Sequence, residues 1–178
     1  FHVVDDSVDI KIGEQFKTIC QLNNIKYYRK PISNIRMNPA QACAHTVQWT
    51  YDNLICTNHV EDLVLFLDSD MFLIDDFDIE EYMEDAIIAG LPQTRGHVTY
   101  MWNGIMLFNM SKIKNKKIDF SEGMVDGEMT DVGGHTYWYF KNTGIEMKKT
   151  NEELLFHFLF PCYGKFDATT NTGSGRRG

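Results

Sequence analysis

The stretch Leu63-Val64-Leu65-Phe66-Leu67-Asp68-Ser69-Asp70 decides the fold. Five apolar residues in a row, introduced by Glu61-Asp62, read as a strand covered on both faces of a parallel sheet, and the strand runs straight into two acids. Upstream, Phe1-His2-Val3-Val4 has the form of a short strand that also ends in acids, Asp5-Asp6-Ser7. Ile12, Phe16, Ile19 and Cys20 recur at helical spacing up to the stop signal Asn23-Asn24, and Ile25 to Tyr28 is the next strand. Asn38-Pro39 starts a helix that reaches about Ile55, because Asn caps free amides and Pro suits the first helical position. Downstream the spacing predicts a short acidic helix over Ile79 to Asp85 and strands over Ala86 to Ala89 and Gly104 to Asn109. An aromatic helical turn from Thr136 to Lys141 ends at Asn142-Thr143-Gly144. The order implies one α/β domain with a mostly parallel central sheet flanked by helices.

The 178 residues suit a single domain, and 43% hydrophobic content is enough to fill a core. Net charge is −8, which excludes a general grip on nucleic acid, since that needs clustered Lys and Arg. The longest apolar runs, of about five residues, fall far short of the ~20 that cross a bilayer, so no transmembrane segment is expected. Cys20, Cys43, Cys56 and Cys162 show no paired spacing and read as isolated thiols, with Cys20 and Cys43 in core positions. Free thiols and the lack of a leader pattern at Phe1 point to the cytoplasm.

Ligands of open α/β sheets bind at the carboxyl ends of strands. In Asp68-Ser69-Asp70 one small residue separates two carboxylates, so a tight turn can aim both at one hard cation. Mg2+ or Mn2+ needs little more than one or two carboxylates, water and phosphate oxygens. The alternative is an acidic loop that caps a neighbouring helix.

These residues resemble the metal-binding strand of nucleotide-sugar glycosyltransferases of the GT-A fold, a Rossmann-like domain. Val3-Val4-Asp5-Asp6-Ser7 is similar to that family's early V-D-D-x-S strand end. Asn38 to Ala44 is similar to its N-x-G-x-A-x-A stretch, with departures at Pro39 and Gln41, and Trp102 to Asn109 to the strand closing its donor-sugar pocket. The resemblance implies a GT-A domain over residues 1–168, entered after the family's first strand, and a polar, basic tail over 169–178. It implies a sugar moved from a nucleotide-diphosphate donor, UDP-sugar first, to a hydroxyl of a carbohydrate or glycoconjugate acceptor, with inversion. By the same likeness Asp70 is the principal metal ligand, Asp68 shares the metal or touches the ribose, and Asp5, Asp6 and Asn38 meet the nucleotide. Trp102, Asn103 and Gly104 meet the donor sugar, and His157 is a late metal ligand, unless it is a core histidine among Leu and Phe.

Inversion needs a general base on the acceptor side. Asp131, before Gly133-Gly134, is the first choice and Glu128 the second, with helix capping as the alternative role for Asp131. Two other readings share the D-x-D: a haloacid-dehalogenase-like phosphatase, against which Phe72 and the late position of the motif speak, and a catalytically silent sugar-nucleotide binding domain.

Overall fold

A computed structural model describes residues 1–33, 36–69, 71 and 78–149. β1 (His2–Asp5), α1 (Ile10–Leu22) and β2 (Lys26–Arg29) form the expected strand, helix, strand unit. The two strands are parallel, from His2 opposite Lys26 to Asp5 opposite Arg29. The Asp9 side chain caps α1 by accepting from the Lys11 amide, and Asn24 takes a left-handed φ of 54° beyond the helix end, a conformation that Asn tolerates. Ile12, Phe16 and Ile19 remain about half exposed, and the packed side of α1 is Gly13 and Cys20. Gly13 explains this, because a β-carbon there would lie 1.4 Å from the Arg29 guanidinium, so the bare backbone is what lets the helix settle on β2.

α2 (Pro39–Thr50) starts where Asn38 predicts, with a reciprocal cap: Asn38 Oδ1 accepts from the Gln41 amide and Gln41 Oε1 from the Asn38 amide. The helix continues through a π-helical turn at Tyr51–Ile55 into α3 (Cys56–Asn58). β3 (Leu63–Leu67) follows, then α4 (Ile79–Met83), β4 (Ile88–Arg95) and β5 (Val98–Asn109). The hairpin β6 (Gly123–Val125) and β7 (Glu128–Thr130) leads to α5 (Thr136–Thr143), closed by Gly144 at a left-handed φ of 69°, and β8 (Lys148–Lys149).

The class is mixed α/β, but the largest sheet is not mostly parallel. Its order is β3-β5-β4-β8, with β3 and β4 both antiparallel to β5 and only the short β4–β8 pair parallel. A continuous apolar run reports cover on both faces and is silent about neighbour direction. Val64 and Phe66 pack on one face, with Val47, Tyr51 and Phe108, while Leu65 and Leu67 pack on the other, with Met83 and Ile105. β4 and β5 are joined by the two-residue turn Gly96-His97, a connection only antiparallel strands can make. The helical segment from α2 through Ile55 and α5 cover one face of the sheet, and α4 covers the other.

One irregularity positions the site. Gly90 pairs with Met106, yet Pro92 already pairs with Met101, so β5 accommodates Trp102 to Ile105 opposite the single residue Leu91. The central strand therefore bulges where β3 ends, since Leu67 is opposite Ile105. Among the described residues no helix is long and apolar enough to cross a membrane.

Candidate functional site

The end of β3 is held against the bulge. The Asp68 amide donates to the Gly104 carbonyl at 3.1 Å, Asp68 Oδ1 accepts from the Ser69 amide at 2.8 Å, and Asn103 Nδ2 donates to Asp68 Oδ2 at 3.3 Å. Asn103 is buried and its amide also stands 3.4 Å from Cys43 Sγ on α2. Thr46 is almost one helical turn further along α2, and its hydroxyl donates to Asp6 Oδ2 at 2.6 Å. The first half of α2 thus joins Asp6 after β1 to Asp68 after β3.

Asp5 and Asp6 are unlike in surroundings. Asp5 is buried and accepts from the Ser7 amide and hydroxyl, the Tyr27 hydroxyl and the Arg29 guanidinium. Burial works to raise its pKa, but the Ser7 and Tyr27 hydrogen bonds and the Arg29 charge together hold the carboxyl below its ordinary value. Its acceptor sites are used within the β1–β2 layer, so it shapes the strand end. Asp6 is exposed beside it and offers the carboxylate.

Trp102 and Asn103 point to opposite faces of β5: Asn103 reaches Cys43 on the α2 side, and Trp102 packs with the cluster of Met83 and Ile105. The indole lies across Gly104, where a β-carbon would come within 2.1 Å of the ring. Asn38 is exposed and its side-chain oxygen serves the helix cap.

The turn before α5 docks on the same strand. Thr136 Oγ1 accepts from the Met101 amide at 3.0 Å, and Gly133 approaches the Met101 carbonyl so closely, at φ 89°, that a β-carbon would lie 2.1 Å from it. This turn docks on β5 just before the bulge, beyond the last pairing with β3. Asp131 is exposed there. Its Oδ1 accepts from the Val132 amide, while His135 stands at the cap of α5 without a side-chain bond to the helix amides; Asp131 therefore does not cap the helix. Glu128 is not brought into the group: its carboxylate lies 3.5 Å from His97 at the hairpin turn. His97 is four residues before Met101, about 13 Å along a strand.

His135, at the start of the helix after the Gly-Gly turn, has no role assigned from the sequence, and the structure gives it a partner. Its Nδ1 is 3.3 Å from Asp119 Oδ2, and its amide donates to the Ser121 carbonyl. Partial burial pushes the Asp119 carboxyl up, but the Ser121 hydroxyl and amide and His135 bring it below its ordinary value. A contact across sixteen residues leaves no periodic trace; the one signal was a histidine directly after a Gly-Gly turn.

Asp70 and His157, the other two expected metal ligands, lie outside the described residues, and among those described no three His, Cys, Asp or Glu side chains gather as a metal site. Asp68, a hard oxygen donor fixed at a strand end by Asn103, suits Mg2+ or Mn2+. Three free thiols, Cys20, Cys43 and Cys56, are present among the described residues. No protein-family model and no curated protein matches the chain.

Proposed function

We propose that this chain is a metal-dependent glycosyltransferase of the GT-A type, moving a sugar from a nucleotide-diphosphate donor, UDP-sugar first, to an acceptor hydroxyl with inversion. The observation that carries the reading is the chain of contacts Asp6–Thr46 and Cys43–Asn103–Asp68, which draws two acidic strand ends to one helix. Asp68, with Asp70 next but one in sequence, would hold Mn2+ or Mg2+. The bound ion would supply the positive charge that an acidic protein lacks and offset the charge building on a departing diphosphate. Asp6 is the group for the nucleoside. Asn103 keeps the Asp68 carboxylate aimed, and Trp102, lying over Gly104, offers an aromatic wall to the donor.

The test is calorimetry of UDP binding to the native chain in Mn2+ and in chelator. Binding that depends on the metal supports the reading, and equal affinity in both overturns it.

A further inference from the structure

We propose that His135, oriented by Asp119, takes the proton of the attacking hydroxyl, the role that sequence alone gave to Asp131 or Glu128. The inference rests on the glycosyl-transfer reading above. Nδ1 stands 3.3 Å from Asp119 Oδ2, a carboxylate that favours the proton on Nδ1 and so the lone pair on Nε2, which meets no polar partner among the described residues. A β-carbon built on Gly123 would meet Nε2 at 4.0 Å and no other atom within that distance. The histidine side chain is 29% exposed, accessible and still partly desolvated.

Its place follows from five contacts. The Gly133 amide donates to the Phe120 carbonyl and the His135 amide to the Ser121 carbonyl, so the turn is zipped to the segment that carries Asp119. Gln48 of α2 grips that segment in turn, accepting from the Phe120 amide and donating to the Ile118 carbonyl. Thr136, the next residue, is bonded to Met101 at the foot of the bulge. These contacts tie the turn that carries His135 to Met101, two residues before Asn103 on β5. Asp131 has one oxygen on the Val132 amide, and Glu128 lies beside His97 at the far hairpin turn.

In the step proposed, the acceptor oxygen forms its bond to the anomeric carbon while the bond from that carbon to the phosphate oxygen breaks. The diphosphate leaves with the electron pair, the hydroxyl proton passes to Nε2, and the Asp119 carboxylate stabilises the imidazolium that results. Asp119 faces the ring directly; Glu122, next to Ser121, and Asp131, four residues earlier, are charged neighbours in sequence, while Lys141 of α5 pairs with Asp126 and Glu128 of β7 lies beside His97.

The test uses water as acceptor: UDP-glucose with Mn2+, read as UDP released across a pH series, beside calorimetry of UDP with Mn2+. For His135→Gln the expected result is unchanged UDP affinity and thermal midpoint, a release rate lower by ~10²–10⁴-fold, and loss of the fall in rate that the native chain shows as acid protonates the imidazole. His135→Ala should regain rate when free imidazole is added. Unaltered release by His135→Gln, with UDP bound as in the native chain, overturns the proton role alone. A native chain that binds UDP no better with Mn2+ than in chelator overturns the nucleotide-sugar reading, and the proton role with it.

Discussion

Asn103 Nδ2 lies 3.3 Å from Asp68 Oδ2, bridging the point where β3 stops and β5 bulges. Asn103 is buried, so this donor is spent on aiming one carboxylate. Asn103→Asp keeps the size and replaces the donor by an acceptor, setting two carboxylates against each other. Without metal the variant should lose about 1–3 kcal/mol of stability. Mn2+ should restore a larger part of its thermal midpoint than it adds to the native chain, because a cation bound only by the folded state stabilises it by mass action. An unchanged midpoint with and without Mn2+ would remove Asn103 and Asp68 from any metal site.

Gly104→Ala tests the aromatic wall. The new β-carbon would fall 2.1 Å from the Trp102 ring, so the indole must swing off the strand. Overpacking of this kind costs about 1–3 kcal/mol. The near-ultraviolet circular dichroism of the tryptophans should change, and UDP-glucose hydrolysis should fall more than UDP affinity, since the wall is assigned to the sugar. Equal loss of both would move Trp102 to the nucleotide.

Gly13→Ala sets helix propensity against a buried pair. Alanine gains up to about 1 kcal/mol in a helix interior. Its β-carbon, however, would occupy the position of the Arg29 guanidinium and come 2.9 Å from Asp5 Oδ2, which leaves a buried carboxylate without its cation. Loss of a charged hydrogen bond costs about 1.5–3 kcal/mol, so the substitution should lower stability overall in denaturant melts. A stabilised Gly13→Ala chain would show that Arg29 repacks at no cost.

What could be read from the sequence was local, and what could not was directional or distant. The cap at Asn38, the left-handed stop at Gly144 and the acids after β3 each depend on residues a few positions apart. β3 read correctly as covered on both faces, but the antiparallel neighbour β5 was invisible, because an apolar run looks the same beside either partner. The β4–β5 hairpin was missed for a related reason: Gln93-Thr94-Arg95-Gly96-His97 is too polar to read as strand, and its pairing is visible only once Val98 and Tyr100 are seen to be buried. At the site, the two acidic strand ends were legible as candidates, whereas the split between a committed Asp5 and an available Asp6 depends on Tyr27 and Arg29 arriving from the next strand.

Asp5 also predicts a pH dependence. Its folded-state pKa lies below the unfolded value, so ionised Asp5 contributes stability that is fully present above the unfolded pKa, about 3.9, and is lost as pH falls through the lower folded value. Asp5→Asn should therefore be less stable than the native chain at neutral pH, with the gap closing below about pH 4. A gap that stays constant down to pH 2 would mean that the charge of Asp5 contributes nothing and that only its hydrogen-bond geometry matters.

The last prediction separates the two candidates for the proton. Asp131→Asn retains an oxygen that can accept from the Val132 amide, so the turn that presents His135 should survive and the thermal midpoint should hold. If Asp131 takes the proton, Asn cannot, and release of UDP from UDP-glucose should drop by ~10²–10⁴-fold with donor affinity intact. If His135 takes it, Asp131→Asn should keep most of its activity and the same fall in rate on acidification as the native chain. We expect the second result, because Asp131 has one oxygen engaged with the backbone, while His135 Nε2 has no polar partner among the described residues and its Nδ1 stands 3.3 Å from the Asp119 carboxylate. In either case a single proton acceptor suits a single displacement with inversion. Magnetic resonance of the freshly released sugar should therefore show the anomeric configuration opposite to that of the donor; a product that keeps the donor's configuration would exclude direct attack aided by either residue.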